Sequence, residues 1–263
     1  MQVAAPQNPE SFELAPPPPA RPVQWRRAKR LVHELIADPD ATDKVFELID
    51  AMGGRGDERT VQRFASQPDS QRMLVEKPSL LAALAQRDRM QALPEESFGR
   101  AYLAFADRNG FSVDGLLASR DRGLGELNAQ LDPERRWFFD RLNLMHDLWH
   151  VLSGYETDAA GETALLAFSI GQGLANRTVQ VLLLTAMAMA PKREGFAFQR
   201  FVLQALRRGR RAAPLLAQRY ENLLPRPLED VRRELSIEPL RDAHPDGFFR
   251  AELGTRDVVR VPA

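Results

Sequence analysis

The sequence contains no cysteine. Disulfides and thiolate metal sites are therefore excluded, and any metal must be held by histidine and carboxylate. It also lacks a charge excess, since 36 basic residues face 36 acidic ones. Nucleic-acid binders normally carry a basic surplus, so that class of partner is not expected. No apolar run is long enough to cross a membrane. The most apolar stretch, Val181 to Pro191, is about half of the ~20 residues a spanning helix needs, and Asn176, Arg177 and Lys192 flank it. The start of the chain has neither the basic lead nor the apolar run of a signal peptide. It carries Glu10 and Glu13 and little arginine before Arg26, unlike a transit peptide. The expected location is the cytoplasm, with peripheral membrane contact open. Strand alternation and solenoid-type repeats are also missing.

What is present is helical periodicity behind a proline-rich start. Pro6, Pro9, Pro16 to Pro19 and Pro22 oppose helix and favour extended polyproline structure. Residues 1–24 are expected to form a disordered, solvated tail. From Trp25 onward apolar residues recur at intervals of three and four. Ala28, Leu31, Val32, Leu35 and Ile36 mark a first helix. Thr42 or Asp43 can cap a second, stopped by Gly53-Gly54. Short helices are expected near 61–65 and 79–84, and another from Glu96 to Asn109, ended by Gly110. Asp132-Pro133 opens a long helix that closes near Gly154. A second long helix is expected from Gly161 to Pro191, and further helices over 196–207, 212–223 and 228–235. The pattern predicts an all-α fold: a single multi-helix domain over residues 25–239, with a C-terminal tail over 240–263.

Chemistry concentrates in one place. The chain has four histidines, and two of them bracket the run His146-Asp147-Leu148-Trp149-His150. Four residues advance a helix by about 400°, so both imidazoles share a face with Cβ atoms roughly 5–6 Å apart. Glu162 lies twelve residues past His150, beyond a polar turn from Tyr155 to Ala160. An antiparallel helix starting at Gly161-Glu162 can return that carboxylate to the histidine face. Two imidazoles, one carboxylate and a water make a catalytic zinc set with an open position. Asp147 faces about 100° away from His146. It can be a ligand, a partner that orients an imidazole, or a base. Asp158 is a further candidate in the turn. The bland alternative is a pair of half-buried histidines satisfied by backbone and carboxylates. His33 on a charged helix and His244 in the C-terminal tail read as surface residues. An HD-type phosphohydrolase needs another ligating histidine upstream, and His33 is a poor match for it.

At His146, Asp147, His150 and Glu162 the sequence resembles the fourth Coq protein family of ubiquinone (coenzyme Q) biosynthesis. That family's mark is His-Asp-x-x-His followed after eleven residues by Glu, and every position is filled here. Leu93 to Tyr102 is similar to the family's Leu-Pro-x-x-Ser-Leu-Gly-x-x-Tyr run, with Phe98 at the second Leu. Gly154-Tyr155 and Gly161-Glu162 fit the metal turn. Gly209 to Leu216, Tyr220-Glu221 and Pro227 to Leu235 look like later family segments, with Tyr220 where Trp is usual and Ala175 where Pro is common. The likeness spans Arg26 to Pro239.

The resemblance implies an all-helical fold and a divalent ion usually taken as zinc; the same ligands suit iron(II). It implies a polyprenylated quinone precursor as substrate and other ubiquinone-biosynthesis proteins as partners. A homo-oligomer is expected. One implied role is enzymatic: oxidative decarboxylation at C1 of a polyprenylated hydroxybenzoate, with Asp147 as the catalytic candidate. The other is a non-catalytic, lipid-binding scaffold for the biosynthetic enzymes. A zinc hydrolase ranks third, because Asp147 is shorter than the usual Glu base and no strand is available to hold a peptide. Two segments suit a lipid. The second long helix is apolar on more than one face from Val179 on, as a core helix or the wall of a prenyl channel. Phe196, Phe198 and Phe201 stand beside Arg200, Arg207, Arg208, Arg210 and Arg211, a pattern that fits either an anionic membrane surface or a solvated helix end.

Overall fold

The computed structural model describes residues 14–240, apart from 20, 38–40, 54–55, 111, 113–114, 116–117, 119–130, 175 and 190–194. Among the described residues there are thirteen helices and no strand, so the all-α expectation holds. Six short and medium helices come first: α1 Trp25–Ala37, α2 Thr42–Met52, α3 Gly56–Ala65, α4 Pro68–Glu76, α5 Leu80–Ala85 and α6 Arg87–Gln91. Then follow α7 Phe98–Asn109, α8 Pro133–Ser153, α9 Ala159–Gly171, α10 Arg177–Met189 and α11 Gly195–Arg211. Two short ones, α12 Tyr220–Leu223 and α13 Leu228–Glu234, complete the set.

Helix α8 is the axis of the main core, and its ends follow the sequence signals. Asp132 Oδ1 accepts from Arg135 N–H at 2.8 Å, and Pro133 opens the first turn, where its missing N–H is not needed. Gly154 ends the helix at φ 79° and returns its N–H to the His150 carbonyl. Phe138, Met145, Leu148, Trp149 and Leu152 are buried along its length. Helices α4, α5, α7 and α9 pack on it. Ser97 caps α7 through Arg100 N–H, and the start of α7 is tied to the far end of the chain. Phe98 N–H donates to Arg226 O and Gly99 N–H to Leu224 O, both at 2.8 Å, and Leu228 N–H donates to Glu96 O at 2.9 Å, which brings two of the resembling segments together.

The second long helix is not continuous. It breaks at 172–174, where Gly173 takes φ 88° and Leu174 N–H returns to Ser169 O at 2.9 Å. Asn176 Oδ1 then accepts from Val179 N–H at 2.9 Å and starts α10. The glycines flanking Gln172 and the capping asparagine favour a stop and a restart over one long helix. The expected helix over 212–223 also shrinks, to Tyr220–Leu223. Pro214 lacks an N–H and holds Ala213 out of the helical region. The N–H groups of Ala213 and Leu215 go instead to Leu235 O and Gln172 Oε1.

Helices α9 and α11 form the closest pair. A Cβ at Gly209 would lie 2.1 Å from Phe168 O, and one at Gly171 would lie 2.5 Å from Leu206 O. Only glycine lets these backbones approach so closely. A second, smaller cluster joins Ala28, Leu31, Leu48, Ala51 and Met52 of the α1–α2 hairpin to Val181 and Leu182 of α10.

The proline-rich segment is held to the body from residue 14 on. Arg135 Nη2 donates to Ala15 O at 3.1 Å, Arg21 pairs with Asp50 at 2.7 Å, and Gln24 N–H donates to Ala51 O at 2.8 Å. The rest of the expected tail, residues 1–13, lies outside the described residues, as do 241–263 with His244. His33 is exposed on α1. Among the described residues no helix is long and apolar enough to cross a membrane.

Candidate metal centre

The helical spacing of His146 and His150 brings their rings to a centroid separation of 4.8 Å, edge to face. After Gly154 the chain reverses through residues 155–158. Asp158, weighed above as a ligand, instead caps α9 by accepting from Gly161 N–H at 2.7 Å. Burial pushes its carboxyl pKa up. Gly161 is required at its position, because a Cβ there would lie 1.9 Å from the Glu156 carbonyl oxygen. This turn delivers Glu162 to the histidine face. Its Oε1 lies 3.2 Å from His150 Nε2 and its Oε2 3.6 Å from His146 Nε2. Among the described residues these three form a cluster whose ligand atoms all fall within 4.8 Å of one another.

His150 is the sealed side of the cluster, with a side chain 1% exposed, while His146 and Glu162 are 43% and 39% exposed. One wall is therefore core and the other is open. Phe105 of α7 stacks on the His150 ring at 5.5 Å. His150 Nδ1 lies 3.0 Å from the Tyr155 carbonyl oxygen. A carbonyl only accepts, so Nδ1 carries a proton, and in the neutral ring Nε2 then presents a lone pair. That Nε2 is buried and has no hydrogen-bond partner. A lone pair facing a carboxylate at such range calls for a cation or a proton between them. The donor set, the orphaned nitrogen and the outer bond from Nδ1 all fit a divalent ion.

The charges reinforce one another. Burial raises the pKa of Glu162, but His150 and His146 outweigh it and hold the carboxyl below its usual value. Burial lowers that of His146, but Asp147 and Glu162 outweigh it and hold the imidazole above its usual value. Asp147 stands outside the three-residue cluster, with Oδ1 3.4 Å from His146 Nδ1. Burial, with the nearby Asp147 charge, raises the pKa of the Tyr102 phenol.

The arginine-rich helix differs from the anchor pattern. Phe198 and Phe201 are buried in the core, because the amphipathic helix turns its aromatic face inward. Arg200, Arg207, Arg210 and Arg211 stay exposed. Arg208 folds inward and donates to Ser153 O at 2.8 Å. Its role at the end of α8 had no local signal, since it sits in a run of like residues.

Fold and site together define an all-helical protein with two histidines and a carboxylate gathered across a helical turn. Residues 32–241 match the family described as Coenzyme Q (ubiquinone) biosynthesis protein Coq4. The chain belongs to that family. It is 27% identical to the Ubiquinone biosynthesis protein COQ4 homolog, mitochondrial, of Aedes aegypti, over 78% of this chain and 72% of that protein. To the Bos taurus protein of the same name it is 29% identical, over 78% of this chain and 76% of the other. A crystal structure from Nostoc punctiforme PCC 73102 superimposes with a TM-score of 0.57 at 21% identity, covering 81% of this chain and 95% of that one. That likeness speaks to the fold.

Proposed function

We propose that the protein carries out a metal-dependent step of ubiquinone biosynthesis, the oxidative decarboxylation at C1 of a polyprenylated hydroxybenzoate. The observation that carries this reading is the buried, unpartnered Nε2 of His150, aimed at Glu162 beside His146 in a chain of this family. His146, His150 and Glu162 would hold the ion. A divalent ion bound there supplies a Lewis acid that stabilises developing negative charge. Zinc carries no redox chemistry, and iron(II) suits the same ligands. Exchange of the ring carboxylate for a hydroxyl consumes dioxygen, three protons and two electrons, and releases carbon dioxide and water. The oxidant and a two-electron reductant therefore come from outside the chain.

The residues divide the remaining work. The exposed side formed by His146 and Glu162 admits the polar head of the substrate, and the sealed side at His150 excludes water. Asp147 orients the His146 ring through Nδ1 or moves a proton beside it.

A scaffold reading has its own support. Leu184 of α10 and Leu203 of α11 are 66% and 48% exposed, and α11 also exposes four arginines. Apolar contact beside cationic charge suits a protein lying on an anionic membrane, among other ubiquinone-biosynthesis proteins.

Elemental analysis of the purified wild type and His150→Ala, joined to turnover of a prenylated hydroxybenzoate, tests the proposal. About one divalent ion in the wild type, less in the variant, and loss of the substrate's carboxylate are expected. Equal metal content in both proteins would sink the metal assignment. Lipid binding without turnover would favour the scaffold.

A further inference from the structure

The last turn of α8 leaves carbonyls that the helix cannot satisfy by itself. Two arginines from distant helices take them. Arg232 of α13 donates from Nη2 to Val151 O at 2.8 Å and from Nε to Leu152 O at 3.0 Å. Arg208 of α11 donates from Nη2 to Ser153 O at 2.8 Å and to Glu238 O. Arg208 also does something that the bonds of Arg232 to Val151 and Leu152 do not: its guanidinium lies over the Tyr155 ring, 4.7 Å from the centroid. That ring is 2% exposed and meets Phe201 edge-on at 5.7 Å. Arg208 thus grips the residues on both sides of Gly154, the left-handed joint at φ 79°. Beyond the joint, the Tyr155 carbonyl accepts a hydrogen bond from His150 Nδ1.

We infer that Arg208 is a positioning residue for His150. By clamping Ser153 and Tyr155 across Gly154, it keeps the Tyr155 carbonyl on Nδ1, and so keeps the lone pair of Nε2 turned to the cluster. Arg232 grips the helix on the His150 side of the joint and supports stability alone. The consequence for an ion rests on the metal reading above, but the tautomer can be observed without any metal.

The test uses the full chain with nitrogen-15 histidine, metal-free at about pH 8, above the usual histidine range, and then titrated with zinc. In the wild type, His150 is expected to show the Nδ1-protonated pattern. Arg208→Gln is expected to show averaged ring-nitrogen shifts and about ten- to a hundredfold weaker zinc binding, with an unchanged far-ultraviolet spectrum. Arg208→Lys keeps a cation over the ring and should recover part of the affinity. Arg232→Gln should lower the urea midpoint and leave both tautomer and zinc affinity at wild-type values. Wild-type shifts in Arg208→Gln overturn the inference, and so does an equal tautomer change in Arg232→Gln. Should Arg208→Gln fail to fold, Tyr155→Leu decides. It keeps the carbonyl but removes the ring under the guanidinium, and wild-type shifts there would be fatal. A wild type that binds no zinc, with the tautomer still dependent on Arg208, leaves the positioning role standing and removes the metal reading.

Discussion

Replacing Gly161 with alanine perturbs the return turn where it has no slack. The added Cβ would lie 1.9 Å from the Glu156 carbonyl oxygen, 2.7 Å from its carbon and 2.9 Å from the Glu156 nitrogen. All three are backbone atoms of the same turn, so no side chain can swing aside. Real Cβ contacts essentially never fall below 3.0 Å, so the turn and the start of α9 must separate by more than 1 Å. Glu162 is the next residue and moves with that backbone. Metal–ligand distances tolerate only about 0.2 Å of error. Gly161→Ala should therefore cost about 1–3 kcal/mol in stability, the usual range for overpacking. It should also weaken zinc binding by about ten- to a hundredfold, as when a ligand's support is lost. Urea denaturation in chelator reads the first effect and a competition titration with a chromophoric chelator reads the second. Gly110→Ala is the comparison: it has φ 66° but nothing within 4 Å of its Cβ, so it should cost stability and leave zinc affinity unchanged. A Gly161→Ala protein with wild-type stability and wild-type zinc affinity would refute the reasoning.

Three further outcomes follow from the packing around α8. Tyr220→Phe removes a hydroxyl that accepts from Trp149 Nε1 at 2.8 Å and donates to Leu215 O at 3.0 Å. It should cost about 1–3 kcal/mol for each buried group left orphaned, and a urea midpoint equal to wild type would contradict this. Burial raises the pKa of Glu221, but its bonds from Arg141, at 2.5 and 2.9 Å, outweigh burial and hold the carboxyl below its usual value. A lowered folded-state value stabilises the fold above the unfolded carboxylate pKa of about 4.3 and loses that contribution as pH falls through the folded value. The urea midpoint should drop across that acid range, and Glu221→Gln should flatten the drop. The variant should also cost about 3 kcal/mol at neutral pH, because Arg141 is buried and would lose its partner; an unchanged acid slope would count against the assignment. Asp147→Asn should keep its zinc and lose the C1 step, because Asp147 lies outside the ligand cluster; loss of zinc would make Asp147 a ligand.

The parts of this molecule that sequence discloses are those set by local chemistry. Asp132-Pro133 and Gly154 mark both ends of α8 because a cap, a first-turn proline and a left-handed glycine act within one turn. The histidine pair is legible because the helix repeat alone superimposes His146 and His150. Glu162 is legible because the intervening polar turn is short. What stayed hidden depends on distant partners. The break at 172–174 is held by Arg63, which donates to Gly173 O at 3.0 Å across 110 positions. The non-helical course of 212–219 depends on Gln172 and Leu235. Arg208 reaches Ser153 across 55 positions, and nothing near it in the chain separates it from its exposed neighbours. The second helix, open in sequence to a core or a channel-wall reading, packs as core at its start, where Ala164, Leu165, Ala167 and Phe168 of α9 are buried. The partly exposed apolar surface comes after the break, on α10.

The most direct measurement is complementation of a strain lacking the equivalent protein, with ubiquinone and its carboxylated precursor quantified together by mass spectrometry. The wild-type gene should restore ubiquinone. His150→Ala, expressed at the same level, should leave ubiquinone low and accumulate the polyprenylated precursor that still carries its carboxylate. Full ubiquinone with His150→Ala, and no accumulated precursor, would contradict a metal-dependent C1 step.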